Sequence, residues 1–389
     1  MTTRKLPAGV QDILPRECKI LFDIREKLGR KFLSCGFEPV SSAALEYYDT
    51  YTQIKNAVPQ EKLFKMTDTD GKLLVLRPDA TLAISRIAAT KLESDRARLF
   101  YFSEKWDMES AGANKNREIF QAGVECLGEE GAFSDAQTIA FAIECLKEIG
   151  LSDFIVDVGH VGYFKGVLEE LGLSDETQEK LRSLINAKDG FNAERVLRGA
   201  GVTGDALNTV LALPALFGGA EVLGRAESLT KNARALEAIA RLKETYALLS
   251  EMGYAEYICF DLGTVRRLSY YSGIVFSGLV KELGAPLFSG GRYDNLADDF
   301  GRHIPAVGFA LGLKRVLVAL ERQGAIPQEE LPDVTVVCKK GAEGKAYREF
   351  LRLTGEGKRA KLSPLYGEEG VKSERGGAKE VYYVTGEEA

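Results

Sequence analysis

The alternation of apolar and polar positions divides the chain into helical and strand-like segments. Leu21, Ile24, Leu28 and Phe32 recur at the spacing of one helix face, which predicts an amphipathic helix over 16–35. Short apolar runs bounded by turn residues predict strands. The other predicted elements are strands at 37–45, 72–76, 98–106, 118–127, 154–161, 258–261, 270–279, 306–309, 334–337 and 380–384, and helices at 79–93, 135–149, 311–322 and 343–354.

The order of these elements predicts an α+β fold. Strands lie on both sides of a block, 162–252, whose patterns are almost entirely helical. A turn at 68–71 is expected to join the strands 37–45 and 72–76 in a hairpin. Strands joined by hairpins pair antiparallel. We therefore expect an antiparallel sheet flanked by helices.

Three regions follow from this order. Residues 1–161 and 253–325 are predicted to form the core, and 162–252 a mostly helical insertion. Residues 333–389 are predicted to form a small α/β unit, in which 358–379 is polar, rich in glycine and expected to be loops.

Composition and charge exclude several classes of protein. The chain has 51 Lys and Arg against 57 Asp and Glu, a net charge of -6 that has the wrong sign for a dedicated nucleic-acid binder. The 6 cysteines are scattered without a CxxC pair, so we expect neither a zinc site nor a disulfide framework. We also expect no other metal and no bound cofactor. Neither a secretory signal nor a long apolar run is present, and we expect a soluble cytoplasmic protein without membrane contact.

The segment from Arg77 to Thr81 lies at a predicted junction between a strand and a helix. Asp79 or Thr81 could cap that helix by accepting hydrogen bonds from its first amides. A carboxylate beside a hydroxyl could also bind the α-ammonium group of an amino acid. The two interpretations do not exclude each other.

A second group of polar residues lies on predicted strands. Gln121 and Glu125 are four residues apart and point to the same face, where an amide and a carboxylate could bind a ring with N–H groups, such as imidazole. Arg266 could bind a carboxylate, and Tyr270 and Tyr271 could form an aromatic wall. A solvated polar face and ordinary packing are the alternatives.

Two later segments complete the candidates. The glycines of 289–294 let backbone approach a ligand closely, although a Gly-Gly turn is a weak signal. Residues 305–315 run from a strand into a helix, which places Arg315 in the second turn of that helix; taken singly, it is a surface arginine.

Taken in order, these segments resemble histidyl-tRNA synthetase, a class II aminoacyl-tRNA synthetase, from Leu6 to Glu321. Residues 36–46 resemble the dimer-forming first class II motif, 98–125 the second and 305–315 the third, while 77–81 and 265–271 resemble segments that recognise histidine. The resemblance implies a class II synthetase-like fold. It also implies histidine contacts by Asp79, Thr81, Gln121, Glu125, Arg266, Tyr270 and Tyr271.

The departures from the synthetase concern the ATP side of the site. Asp107 stands where the family has the arginine that binds the α-phosphate, so a cation has become an anion that repels phosphate. The resemblance thus implies a degenerate ATP site formed by Asp107, Glu109 and Arg315. Ser269 replaces an aspartate of the histidine signature, and the tail after Pro332 is short and not basic for an anticodon-binding domain.

This combination resembles the regulatory subunits of ATP phosphoribosyltransferase, which keep the synthetase scaffold and have lost aminoacylation. The resemblance implies a non-catalytic chain that serves the first step of histidine biosynthesis. It also implies a short-form catalytic subunit as partner, a homodimer through the class II core, free L-histidine as effector, and no tRNA. An active histidyl-tRNA synthetase and a synthetase-like module with another partner are the alternatives.

Overall fold

The computed structural model describes residues 5–54, 58–108, 116–263, 270–281, 283–326 and 331–385. The chain divides into two compact units, Met1–Ala325 and Ile326–Ala389.

Helices and strands are both numerous in the described residues. The α-helices are α1 (Pro15–Ser34), α2 (Tyr48–Gln53), α3 (Ala80–Lys91), α4 (Gly131–Glu148), α5 (Val161–Glu169), α6 (Asp175–Asn186), α7 (Gly190–Gly199), α8 (Gly204–Ala212), α9 (Glu221–Ser228), α10 (Ala233–Glu251), α11 (Leu313–Arg322), α12 (Glu343–Gly355) and α13 (Gly367–Glu374). The strands are β1 (Glu38–Pro39), β2 (Leu45–Tyr47), β3 (Lys65–Thr67), β4 (Leu73–Leu76), β5 (Ala97–Trp106), β6 (Glu118–Leu127), β7 (Ile155–His160), β8 (Phe217–Gly218), β9 (Ile258–Asp261), β10 (Ile274–Leu279), β11 (Phe288–Arg292), β12 (Ala306–Gly312), β13 (Val334–Cys338), β14 (Ala360–Tyr366) and β15 (Glu380–Val384).

A nine-stranded sheet organises the larger unit, in the order β1-β5-β6-β12-β11-β10-β7-β9-β8. Neighbours from β5 to β7 are antiparallel, and the pairs β1–β5 and β7–β9 are parallel. This confirms the predicted α+β fold with an antiparallel sheet as its centre.

Helices α1 and α4 cover one face of this sheet. Leu21, Ile24, Leu28 and Phe32 of α1 are buried, as their spacing predicted, and the helix ends before Gly36, whose φ of 79° suits glycine. The Phe32 ring lies 5.2 Å from that of Phe100 in β5. Phe141 of α4 packs 6.2 Å from Phe309 of β12. The other face of the sheet is therefore the one available for a site.

The predicted strand 37–45 is wrong, because the segment forms two short strands in different sheets. β1 pairs with β5 at the edge of the large sheet. Proline lacks the N–H that an inner strand would need for a second neighbour, so Pro39 is tolerated at this edge. β2 joins the three-stranded sheet β2-β4-β3. The turn at 68–71 accordingly connects β3 with β4 rather than 37–45 with 72–76.

Other predicted positions also need correction. Tyr270 and Tyr271 precede β10 instead of lying within it, Gly290 and Gly291 are inside β11 instead of a turn, and Arg315 is in the first turn of α11. The segment 358–379 contains β14 and α13, so its assignment to loops is wrong. β14 is an edge strand, which allows polar side chains and a proline that conceal its character in the sequence.

Helices α5 to α10 follow β7 and precede β9, interrupted only by β8 and a short 3-10 turn within the described residues. Whether this block is an insertion stays a prediction. Among the described helices, none combines the length and the apolar character that crossing a membrane requires.

The smaller unit has its own core. Its three parallel strands lie in the order β14-β13-β15. Val334, Val336 and Cys338 of β13 pack with Ala346 and Leu353 of α12.

Candidate functional site

Small residues form the floor of a pocket on the face of the large sheet opposite α1 and α4. Glu125 of β6 pairs with Gly308 of β12, which pairs with Gly291 of β11. In the next row on this face, Gly123 pairs with Ala310. Above this floor lies a cavity of about 170 Å³ that opens to solvent. Its polar and aromatic lining includes Asp79, Thr81, Tyr101, Lys105, Gln121, Glu125, Tyr270, Tyr271, Tyr293 and Arg315.

The carboxyl group of Glu125 is buried at the bottom of this pocket, with 1% of the residue exposed. The Thr81 hydroxyl donates to Oε1 at 2.8 Å, and the Tyr293 hydroxyl donates to Oε2. Gly308 lies directly beneath, where a Cβ atom would stand 1.9 Å from Oε2. The position of this carboxyl group therefore requires glycine at 308.

Burial raises the pKa of Glu125 from 4.5 to about 8. The hydrogen bonds from Tyr293 and Thr81 oppose that shift, and the nearby carboxylate of Asp79 adds to it. A carboxyl group with a pKa of about 8 is mostly protonated at neutral pH. A bound ring with an N–H group, or a cationic ring, would supply the partner that favours its ionised form.

Asp79 has two roles that the sequence analysis left open, and the structure shows the first of them. It is the N-cap of α3, with Oδ1 accepting from the Leu82 N–H at 3.1 Å. Its other oxygen, Oδ2, accepts from the Tyr270 hydroxyl at 3.4 Å and faces the pocket. The cap therefore fixes a carboxylate that a cationic ligand group could reach.

Tyrosine rings form one side of the pocket. The ring of Tyr270 lies 5.0 Å from that of Tyr271 and 6.1 Å from that of Tyr293. Gly291 makes room for Tyr271, since a Cβ there would be 2.7 Å from that ring, and Gly123 makes the same room for Tyr101. Burial raises the pKa of Tyr101, Tyr270 and Tyr293 well above the usual value, so their hydroxyls remain neutral donors.

The pocket has basic residues as well. Arg315, beside the floor residue Gly312, donates from Nη1 to the Pro286 carbonyl at 2.9 Å, and Lys105 lines the pocket from β5. This exposed arginine is thus part of a concave site rather than an ordinary surface residue.

The structure brings together most of the residues predicted for the site. Six of the seven predicted histidine contacts line the pocket, namely Asp79, Thr81, Gln121, Glu125, Tyr270 and Tyr271. Arg266, the seventh, and Glu109 lie outside the described residues. Asp107 follows β5, half-buried, and is not among the lining residues.

The sequence analysis missed Tyr101, Lys105 and Tyr293. Tyr101 and Lys105 lie on the same face of β5, as alternation along a strand requires. The sequence does not show which face of β5 points toward the pocket, because that depends on its pairing and register with β6. Tyr293 lies within the glycine segment 289–294, but its contact with Glu125 depends on the strand order β6-β12-β11, which the sequence does not show.

A first prediction concerns the proton on Glu125. The unfolded chain loses this proton near pH 4.5 and the folded chain near pH 8, so the stability it contributes is full below pH 4.5 and is lost as pH rises to about 8. Relative to Glu125→Gln, which stays neutral, the wild-type protein should lose on the order of a few kcal/mol of unfolding free energy across that interval. Urea unfolding at a series of pH values measures this. Parallel curves for the two proteins would mean that Glu125 is already ionised in the folded state.

A second prediction concerns the pocket floor. Gly308→Ala should displace the Glu125 carboxyl and lower the free energy of unfolding by about 1–3 kcal/mol, because the added methyl group overlaps Glu125 and the Val124 carbonyl. The control is Gly224→Ala in α9, where the new methyl meets open space and should cost nothing. Equal stability of the two variants, measured by chemical denaturation, would contradict the proposed role of Gly308.

Comparisons with known proteins agree in sequence and in structure. The family model described as histidyl-tRNA synthetase matches residues 9–316. An ATP phosphoribosyltransferase regulatory subunit of Acetivibrio thermocellus is 40% identical over 354 residues, covering 90% of this chain and 84% of the relative. One from a Thermoanaerobacter species is 39% identical over 354 residues, covering 91% and 92%.

The structural comparison gives the same result over the full length. The crystal structure of an ATP phosphoribosyltransferase regulatory subunit/histidyl-tRNA synthetase from Bacillus halodurans superposes with a TM-score of 0.88. The two chains are 29% identical, and the match covers 99% of each.

Proposed function

Because the chain belongs to the histidyl-tRNA synthetase family, and within it to the ATP phosphoribosyltransferase regulatory subunits, we propose that it regulates the first step of histidine biosynthesis through its pocket. It is a regulatory subunit of that enzyme, and the reaction takes place on a catalytic partner chain in the cytoplasm. The observation that carries the pocket's role is the buried Glu125 carboxyl between Thr81 and Tyr293, with Asp79 nearby.

Free L-histidine is the proposed ligand of the pocket. Glu125 and Gln121 are four residues apart on one strand and face the same cavity, where they can bind the two ring nitrogens of an imidazole. The Asp79 carboxylate, held by the helix cap, is placed to accept from the α-ammonium group. Arg315 and Lys105 supply positive charge for the carboxylate, and Arg266 stays a predicted contact.

The pocket is proposed to bind histidine without activating it. Adenylation requires cations at the phosphates, and Asp107 puts an anion at the position where the synthetase has its arginine. Basic and acidic side chains are nearly balanced in residues 333–389, so the charge of this segment does not favour tRNA binding. Retention of Arg315 in the pocket favours the second candidate, an active synthetase.

Assembly is the remaining part of the proposal. Residues 36–46, which resemble the dimer motif, supply the edge strand β1 and the start of β2. We expect a homodimer through this region that binds a short-form catalytic subunit. Histidine can then inhibit the complex only if it binds two states of the complex with different affinity.

A third prediction separates the two roles of Asp79. Asp79→Asn should keep the cap of α3, because asparagine is an equally good N-cap, but it removes the charge that holds the ammonium group. Affinity for L-histidine, measured by calorimetry, should fall by about tenfold or more, while unfolding changes little. Imidazole, which has no ammonium group, is the control ligand, and its affinity should change much less than that of L-histidine. Unchanged affinity for L-histidine would place the ammonium group elsewhere.

A fourth prediction concerns the complex. Phosphoribosyl-ATP should form when this chain is mixed with a short-form catalytic subunit, and L-histidine should inhibit the mixture. Glu125→Gln should relieve that inhibition at least about tenfold while the mixture stays active, because the ring loses its ionisable partner. Histidine-dependent exchange of pyrophosphate into ATP by this chain alone would instead support the synthetase. A catalytic subunit that is fully active without this chain would contradict the assignment.

A further inference from the structure

Arg292, the last residue of β11, is buried on the face of the sheet opposite the pocket, with 6% of the residue exposed. Its Nε donates to Asp135 Oδ1 at 2.7 Å, and its Nη2 donates to the Ser134 hydroxyl at 2.5 Å, both on α4. Its Nη1 donates to the Glu129 carbonyl and to Asp294 Oδ1, each at 2.9 Å. One side chain thus fastens the end of β11 to the start of α4.

The next residue, Tyr293, points the other way, because successive side chains of a strand alternate between its faces. Its hydroxyl donates to Glu125 in the pocket, while its backbone N–H donates to the Ala306 carbonyl at 2.8 Å. The hydroxyl that contacts the buried carboxyl is therefore one residue away from the attachment to α4.

A second connection leads from Arg292 to the tyrosine wall. Asp294 accepts from Arg292 and from the Ser272 hydroxyl, the latter at 2.8 Å. The Ser272 backbone N–H donates to the Arg292 carbonyl at 2.8 Å. Ser272 directly follows Tyr270 and Tyr271, so the same arginine restrains the segment that carries both rings.

We propose that Arg292 is a positioning residue for the pocket, which acts through Tyr293 by holding its hydroxyl against Glu125. The inference rests on the proposed function only for the identity of the ligand, histidine. Arg292 itself touches no ligand, since it lies behind the sheet.

Lysine is the informative substitution at this position. Arginine presents its donors in a fixed planar fork that reaches Asp135, Ser134 and Asp294 together, whereas lysine has one ammonium group on a flexible stem. Arg292→Lys keeps the positive charge beside two carboxylates, so the protein avoids the large cost of leaving them unpaired. The lysine side chain cannot make all of these contacts at once, so the end of β11 is held less firmly.

A double-mutant cycle tests the proposal, with L-histidine affinity measured by calorimetry in the wild-type protein, Arg292→Lys, Tyr293→Phe and the double variant. Arg292→Lys should weaken binding about tenfold, and most of that effect should disappear once Tyr293 lacks its hydroxyl, with only the smaller part transmitted through Ser272 remaining. Unchanged affinity in Arg292→Lys, or an equal loss in both backgrounds, would overturn the proposal.

Arg302→Lys is the matched control. Arg302 is also a multiply bonded arginine, since its Nε donates to Asp95 at 2.6 Å and its Nη1 donates to the Leu92 carbonyl at 2.5 Å, away from the pocket. Both lysine variants should lower the denaturation midpoint, but only Arg292→Lys should change histidine affinity. An equal change of affinity in both variants would reduce Arg292 to a general stabilising role.

A ligand-free measurement separates this inference from the proposed function. The Tyr293 hydrogen bond lowers the pKa of Glu125, so Arg292→Lys should raise that pKa further. NMR titration of carbon-13-labelled glutamate side chains, assigned with Glu125→Gln, measures it. If the wild-type protein fails to bind histidine, the proposed function fails, while this titration still decides the role of Arg292. An unchanged pKa in Arg292→Lys would overturn the positioning role.

Discussion

The burial of one carboxyl group, that of Glu125, sets the requirements for the rest of the pocket. A buried carboxyl needs hydrogen-bond partners, and the start of α3 supplies Thr81 while the end of β11 supplies Tyr293. It also needs space, which Gly308 provides in the neighbouring strand. The capped helix, the strand end and the glycine are distant in sequence, so the nine-stranded sheet is what brings them to one place.

The same arrangement explains how a synthetase scaffold can serve regulation. The proposed recognition of histidine uses the carboxyl groups and the tyrosine wall, whereas adenylation needs additional cations at the phosphates. The first set lines the pocket, and the resemblance to the synthetase puts Asp107 in the sequence position of one of those cations. Under the proposed function, this chain binds histidine without adenylating it, so bound histidine acts as a regulatory effector and not as a substrate.

The sequence predicted those features that depend on local periodicity. Alternation along β6 placed Gln121 and Glu125 on one face, and the junction before the helical pattern offered Asp79 or Thr81 as a cap, of which the structure shows Asp79. Contacts that depend on strand order were not predictable, which is why Tyr101 and Tyr293 were missed. The error at 358–379 has a different cause, because an edge strand such as β14 does not need the apolar alternation that marks a central one.

The glycine floor has a consequence for how this pocket can diversify. The floor positions can change in only one direction, since every substitution of Gly123, Gly291 or Gly308 adds atoms where Tyr101, Tyr271 or Glu125 already fills the space. New ligand preferences would therefore have to arise on the walls, at residues such as Gln121 or Lys105, which can shrink as well as grow. Among related proteins, the glycines of the floor should therefore vary little, whereas residues of the pocket walls can be replaced by larger or smaller ones.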